Sequence, residues 1–289
     1  MASTGLNLFD LQEGKHLFGR YRIDAALAHG PLSARFAVYD EEAQQALNLE
    51  LFTAGLFEGH GQASFFADRL RAFSQVACAV AVPTHAIQVT EAGDVLRFCE
   101  RADGTSLRSM LQAGQLLTRA RAVALGEELL SGLMALHNHG MAHGDLKPDT
   151  LYLQENGVVA VEGGVTPALW RAQHMGARTS LIGTPFYAPL EQFSGEVPDA
   201  GSDLYAIGTL LYEGLCGALP WAGKGFIEVF QSKMQDNPPP IESRAPNLRV
   251  GKGLEEVLRR SIRARREDRY LHAADFLRAL QSVATESVS

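Results

Sequence analysis

Apolar and polar residues along this chain follow two rhythms. Short runs rich in β-branched, aromatic or leucine residues occupy Tyr21 to Leu27, Arg35 to Asp40 and Leu47 to Phe52, with turn formers between them, and each predicts a strand. The first link, "AHGPLSA", carries Gly30 and Pro31, and the second, "YDEEAQQ", is charged like a hairpin tip. Phe66, Leu70 and Phe73 then recur at helical spacing and predict a helix over Ser64 to Val76. Two further strand-like runs, His85 to Val89 and Val95 to Cys99, lead into a polar connector, "ERADGTS".

Beyond the connector the rhythm becomes helical. Leu125, Leu129, Leu133 and Leu136 make a buried stripe on a helix from about Arg119 to His139, and a short hairpin, Leu151 to Leu153 and Val158 to Val161, follows around "QENG". Residues Asp203 to Leu215 are apolar almost all round, as in a helix inside a core, and amphipathic helices near Leu254 to Arg263 and Ala273 to Val283 close the chain. No internal repeat or low-complexity tract interrupts this order. The pattern predicts an α+β arrangement: a small five-stranded lobe with one helix (residues 19–100) and a larger, mostly helical lobe (101–285). An N-terminal extension (1–18) and a short tail (286–289) flank them. A cleft between two such lobes is the expected ligand site.

Composition narrows the function. The 289 residues are 46% hydrophobic, enough for a large core, and 26 Lys+Arg against 33 Asp+Glu leave a net charge of −7. Bulk attraction to nucleic acid or an anionic membrane is therefore not expected. Cys78, Cys99 and Cys216 are odd in number and lack zinc or redox spacing, which fits a reducing, cytoplasmic setting. Apolar stretches are too short or too interrupted for a membrane span, and no signal pattern opens the chain.

The segment "LHNHGMAHGDLKPDTLYL", Leu136 to Leu153, places His143, Asp145 and Lys147 on a loop between the long helix and the hairpin. It resembles the H-R-D-x-K-P-x-N catalytic loop of eukaryotic-like protein kinases, in the form found among bacterial (Hanks-type) Ser/Thr kinases. The resemblance runs from about Tyr21 to Val283. "GTPFYAPLEQF" is similar to the end of an activation segment and "SDLYAIGTLLYEGLCGALPW" to the core helix after it. It implies a bilobal kinase-like fold, with Asp203 as a cap at the start of that helix and Glu191 paired to Arg269 in "REDRY". His143, Glu191, Asp203 and Arg269 are thus expected to be structural.

The departures carry the functional reading. A working site uses a glycine loop over the phosphates, a strand lysine paired to a helix glutamate, magnesium on an asparagine and an aspartate, and an aspartate near the acceptor hydroxyl. Here the glycine-loop positions fall on Ala28, Gly30 and Ser33, which also read as an ordinary hairpin. The lysine position holds Glu50, whose charge at about 4 Å from phosphate would repel by about 4 kcal/mol at an effective dielectric of 20. The helix glutamate position holds Arg69, so a sign-swapped Glu50–Arg69 salt bridge is expected, or else two unrelated exposed charges. Cys99, at the gatekeeper position, and its neighbour Glu100 complete the pocket's edge.

Asp145 and Lys147 are retained at catalytic positions, although Asp145 can equally serve as a hydrogen-bond hub for its loop. The magnesium asparagine is Thr150, and the D-F-G triplet is Glu162-Gly163-Gly164. Each lost pre-organised contact typically costs ~10²–10³ in rate, so several together predict near-abolition of transfer. Gly144 replaces the loop arginine that pairs with an activation-segment phosphate, which makes Thr179, Ser180 and Thr184 poor switch candidates. His137, His139 and His143 are expected to be helix-end and loop residues, with no metal, and the arginines from Arg259 to Arg269 a solvated face. The sequence thus predicts a pseudokinase that binds another protein, such as an active kinase or a signalling regulator, and needs no cofactor. The alternatives are an atypical ATP- and magnesium-dependent Ser/Thr kinase working through Asp145, and a nucleotide sensor without turnover. The chain is also compatible with a fragment of a longer membrane-anchored protein.

Overall fold

Alternation along the strands places two different faces on the N-terminal sheet. A computed structural model describes residues 5–154, 159–173, 185–235 and 237–284. Its first sheet contains β1 (His16–Leu17), β2 (Tyr21–His29), β3 (Ala34–Asp40), β4 (Gln45–Phe52), β5 (Thr84–Val89) and β6 (Val95–Glu100). They run antiparallel in the order β1-β2-β3-β4-β6-β5. Five are those the alternation predicts. The sixth, β1, comes from the stretch read as an N-terminal extension, because a two-residue strand has no alternation to reveal it.

On one face, Tyr21, Ile23, Phe36, Val38, Leu47, Leu49, Leu51, Leu96 and Phe98 form a core that Leu11 and Leu17 complete, with Leu6 and Leu8 packed against it. Burying a leucine contributes up to about 1.5–3 kcal/mol, so these four, buried or partly buried, favour an arm laid down on the sheet. The buried Asp94 carboxylate fixes the arm's start by accepting from the Leu6 amide at 2.8 Å. The residues between these, Asn48 and Glu50 on β4 and Arg97 and Cys99 on β6, share the opposite face. Phe52 continues that face and meets Phe66 of α1 (His60–Ser74) edge to face at 4.9 Å. The predicted stripe Phe66, Leu70 and Phe73 is buried as its spacing requires.

The chain divides into two compact units, built from the described parts of Met1–Gln75, Val82–Ala102 and Arg171–Ala177 and of Val76–Ala81, Asp103–Trp170 and Arg178–Ser289. The second unit is mostly helical, with α2 (Leu107–Gln112), α3 (Arg119–Asn138), α5 (Leu190–Phe193), α6 (Ala200–Cys216), α7 (Phe226–Lys233), α8 (Ile241–Arg244), α9 (Lys252–Ser261) and α10 (Ala273–Val283). Helix α4 (Thr166–Gln173) lies across the division, and a small sheet joins β7 (Thr105–Ser106), β8 (Leu151–Leu153) and β9 (Val159–Val161). Helix α6 is buried on all sides, as its continuous apolar composition predicts. Gly126 lets α3 approach its neighbours, since a Cβ there would sit 2.7 Å from Leu280 of α10 and 2.8 Å from Leu211 of α6. Helices α2, α4 and α7 escape prediction because six to eight residues give about two turns of periodicity.

Asp203 is not the cap of α6. Asp199 holds that position in a capping box with Ser202, while Asp203 sits in the first turn with its side chain directed back to the His143 loop. An N-cap stands outside the helix, and the chain enters helical geometry at Ala200, three residues earlier than the apolar run suggests.

Candidate functional site

The loop that carries the retained residues is held by a buried carboxylate of the same unit. Asp203, 1% exposed, accepts from the amides of His143 and Gly144, each at 2.8 Å, and lies 3.0 Å from His137 Nε2. This fixes the loop's backbone. His143 is buried, with the Asp145 amide donating to its Nδ1 at 3.3 Å. His137 and His143 are thus engaged with Asp203, and His139 Nδ1 lies 2.8 Å from the Ala135 carbonyl.

Asp145 is committed to another segment. Its Oδ2 accepts from the amides of Val165 at 2.7 Å and Thr166 at 3.0 Å, and its Oδ1 accepts from the Thr166 hydroxyl. Those amides open α4, so the carboxylate supplies orphan donors of a helix N-terminus with the acceptor they need. A hub for its own loop would find its partners nearby in the chain; the partners of Asp145 lie twenty residues on, after the Glu162-Gly163-Gly164 triplet. That triplet is what permits the contact. Gly163 has φ +139°, and a Cβ there would stand 2.6 Å from Asp145 Cβ and 2.8 Å from His143 Cε1.

The residues at the two metal positions, Thr150 and Glu162, are also engaged. Thr150 Oγ1 is 2.6 Å from the Asp145 carbonyl and 3.1 Å from that of Lys147, which ties the loop to itself. The Tyr152 hydroxyl donates to Glu162 Oε2 at 3.3 Å, and the Glu162 amide donates to the Thr150 carbonyl. Lys147 lines a small cavity with Gly144, Asp145, Tyr187, Gln192 and Asp203 and makes no ion pair among the described residues.

In the sheet unit, the segment over Ala28, Gly30 and Ser33 is a tight hairpin. Ala28 pairs with Arg35 in the ladder, and the Gly30 amide donates to the Ser33 carbonyl at 2.9 Å. Ser33 also donates from its hydroxyl to Glu50 Oε1 at 3.2 Å. The expected Glu50–Arg69 bridge does not form; Glu50 pairs with Arg97, 3.7 Å away and directly opposite in the β4–β6 register. Arg97 is 3% exposed and so demands a carboxylate, with Thr84 Oγ1 accepting from its Nε at 3.1 Å. Arg69 is half-buried on α1, beside the stripe that packs rather than on it. Cys99 Sγ lies 3.6 Å from Thr84 Oγ1, and Glu100 meets His85 Nε2 at 3.2 Å.

Two structural anchors belong to the helical unit. Arg269 makes a two-pronged contact with Glu191, at 2.8 and 3.0 Å, and donates to the Arg263 and Ala264 carbonyls. Arg108, which no sequence motif marks, donates to Glu213 Oε1 and the Tyr187 hydroxyl and pairs with Asp149. Burial, with the Glu213 carboxylate beside it, pushes the Tyr187 phenol well up. A lone arginine at the start of a short helix gives no periodic signal. Arg97 was legible in principle, as a cation on the same strand face as Cys99. Thr179, Ser180 and Thr184 lie outside the described residues.

A family profile described as "Protein kinase domain" matches residues 84–275. Relatives include the serine/threonine-protein kinase pkn3 of Myxococcus xanthus, 25% identical over 94% of this chain and 51% of its own length. PknB of Mycolicibacterium smegmatis is 27% identical over 90% and 42%, and Pkn1 of Myxococcus xanthus is 33% identical over 65% and 27%. The chain therefore spans about half or less of the length of these relatives. The crystal structure of the PknI kinase domain of Mycobacterium tuberculosis superposes with a TM-score of 0.67, covering 93% of this chain and 98% of that one; at 17% identity the likeness is one of fold.

Proposed function

The chain belongs to the protein kinase family, and from that premise we propose that it is a member whose phosphotransfer centre has been dismantled, acting as a protein-binding or allosteric module. One observation carries the reading: both oxygens of Asp145, the candidate base, serve the start of α4. A general base must reach the proton it removes. For Asp145 to face a hydroxyl, the α4 N-terminus would have to give up its acceptor.

The residues at the other nucleotide and metal positions are each engaged within their own unit. Glu50 brings negative charge and is neutralised by Arg97, Thr150 is turned to main-chain carbonyls, and Glu162 receives the Tyr152 hydroxyl. The hairpin amide of Gly30 is used internally. On this reading these groups serve the fold and not a nucleotide or a metal ion. The partner of such a module is another protein, an active kinase or a signalling regulator, and its setting is the cytoplasm; no described helix is long and apolar enough to cross a membrane.

A second reading rests on the relatives, which bear the name serine/threonine-protein kinase, and on the retention of Asp145 and Lys147. Under it, α4 unwinds and frees Asp145 for transfer from ATP. Melting curves with and without saturating ATP and Mg²⁺ separate the two. Ligand at 100 times its Kd stabilises by about 2.7 kcal/mol, a shift of several degrees. An unchanged curve is expected here, and a shift of that size favours a nucleotide-binding site.

A further inference from the structure

Lys233, one of five lysines in the chain, ends α7 with its side chain sealed from solvent at 1% exposure. Its Nζ lies 2.8 Å from the Phe186 carbonyl, 2.7 Å from the Ala188 carbonyl and 3.1 Å from the Tyr205 hydroxyl. No carboxylate lies within ion-pair distance of it among the described residues. The acidic side chain whose field reaches it, Glu191 of α5, is already held by both terminal nitrogens of Arg269. Arg269 also stands over the ring of Tyr205 at 4.9 Å, the same ring that Nζ approaches at 4.6 Å.

Counting protons decides the charge state. The Tyr205 oxygen accepts from Trp221 Nε1 at 2.7 Å. An ammonium would donate to two carbonyls and to the same tyrosine oxygen, leaving the buried Tyr205 proton with no acceptor among the described residues. A neutral amine satisfies every group: its two protons go to Phe186 and Ala188, and its lone pair accepts the Tyr205 proton. Buried networks are stable when every member is satisfied and costly when one is not.

We propose that Lys233 is held as a neutral amine and acts as a proton-sensitive latch fastening α7 to residues 186–188. Uptake of one proton by the amine removes its lone pair, so Tyr205 loses its acceptor and a second cation appears beside Arg269. The groups facing the latch are Tyr205 and Trp221 from α6 and the turn after it, Glu191 from α5, and Arg269 after the Arg266–Asp268 turn. Burial pushes the Lys233 ammonium well below its ordinary value, Arg269 acts in the same direction, and Glu191 opposes them. The fastened residues lead directly into α5, so the latch sets where that helix and its Glu191 begin. This goes beyond the kinase or pseudokinase question and stands whichever way it falls.

The test is urea unfolding of the full chain and of Lys233→Met between pH 7 and 9.5. The unfolded lysine returns to its ordinary value of 10.5 and takes up a proton. Wild-type stability relative to the variant therefore rises with pH, approaching about tenfold in the folding constant per unit. A ratio that stays flat across this window overturns the proposal. Should the variant not fold, the wild-type chain labelled at lysine ¹³Cε and ¹⁵Nζ gives the answer: one of the five lysines neutral at pH 8 is expected, and five ammonium signals overturn it. The latch itself is read from hydrogen exchange at Phe186 to Ala188. After correction for intrinsic rates, it should accelerate when the wild type is acidified through the Lys233 titration, and an unchanged rate overturns the fastening role.

Discussion

The Asp145 carboxylate receives the amide of Thr166, the first residue of α4, at 3.0 Å, and that of Val165 at 2.7 Å. A side chain at the catalytic position of a kinase loop is thereby working as a helix cap. Removing a capping acceptor costs about 0.5–2 kcal/mol. Asp145→Ala should lose about that much in urea unfolding, while Asp145→Asn, which keeps one acceptor oxygen, should lose less than half of it. Equal stability of all three proteins would place the carboxylate elsewhere.

Glu50 answers to Arg97. Glu50→Lys, which restores the lysine typical of the family, sets a second cation beside a buried guanidinium. Breaking a buried pair typically costs about 3–5 kcal/mol. Glu50 retains 22% side-chain exposure, so a loss of about 2 kcal/mol is expected, partly recovered in Glu50→Lys/Arg97→Glu. Glu50 and Arg69 should show coupling below about 0.5 kcal/mol in a double-mutant cycle, as residues without a shared contact do.

Gly163 is bound to its position by φ +139° and by the nearness of Asp145 and His143. Gly163→Ala should cost about 1–3 kcal/mol from backbone strain and crowding together. Gly163→Phe, the family's residue, should cost more and should not create nucleotide binding. A melting curve for each variant checks both statements.

Acid should act on the sheet unit through Asp40. The Arg20 guanidinium, at 2.8 and 2.6 Å, holds its carboxyl below the usual range, with the amides of Glu42 and Ala43 helping. A carboxyl lowered in the folded state stabilises it above the unfolded value of about 3.9 and loses that contribution as pH falls through the folded one. The stability gap between wild type and Asp40→Asn should therefore be full at about pH 6 and shrink below about pH 4. A gap independent of pH would mean that Asp40 is not ionised in the pair.

Periodicity made much of this fold readable. Alternation found β2 to β6, and the leucine stripe found α3 to within a residue of its end, because both bury one face along their whole length. What escaped was short or non-local. β1 has two residues, and Arg97 is tied to Glu50 only by the register of two strands far apart in the chain. The Glu191–Arg269 pair was legible because motif order fixes both positions. Asp145 was legible as a residue but not as a cap, since its partner at Thr166 depends on the path taken after Gly163. Lys233 gave no sign at all: nothing in "QSKMQ" says that a lysine turns inward.

The most direct test of the central claim is phosphate transfer from γ-labelled ATP, with Mg²⁺ or Mn²⁺, to the chain itself and to a generic protein substrate, comparing wild type with Asp145→Asn. With Asp145 committed to α4, the two proteins should give the same background signal. Incorporation by the wild type that disappears in Asp145→Asn would contradict the account.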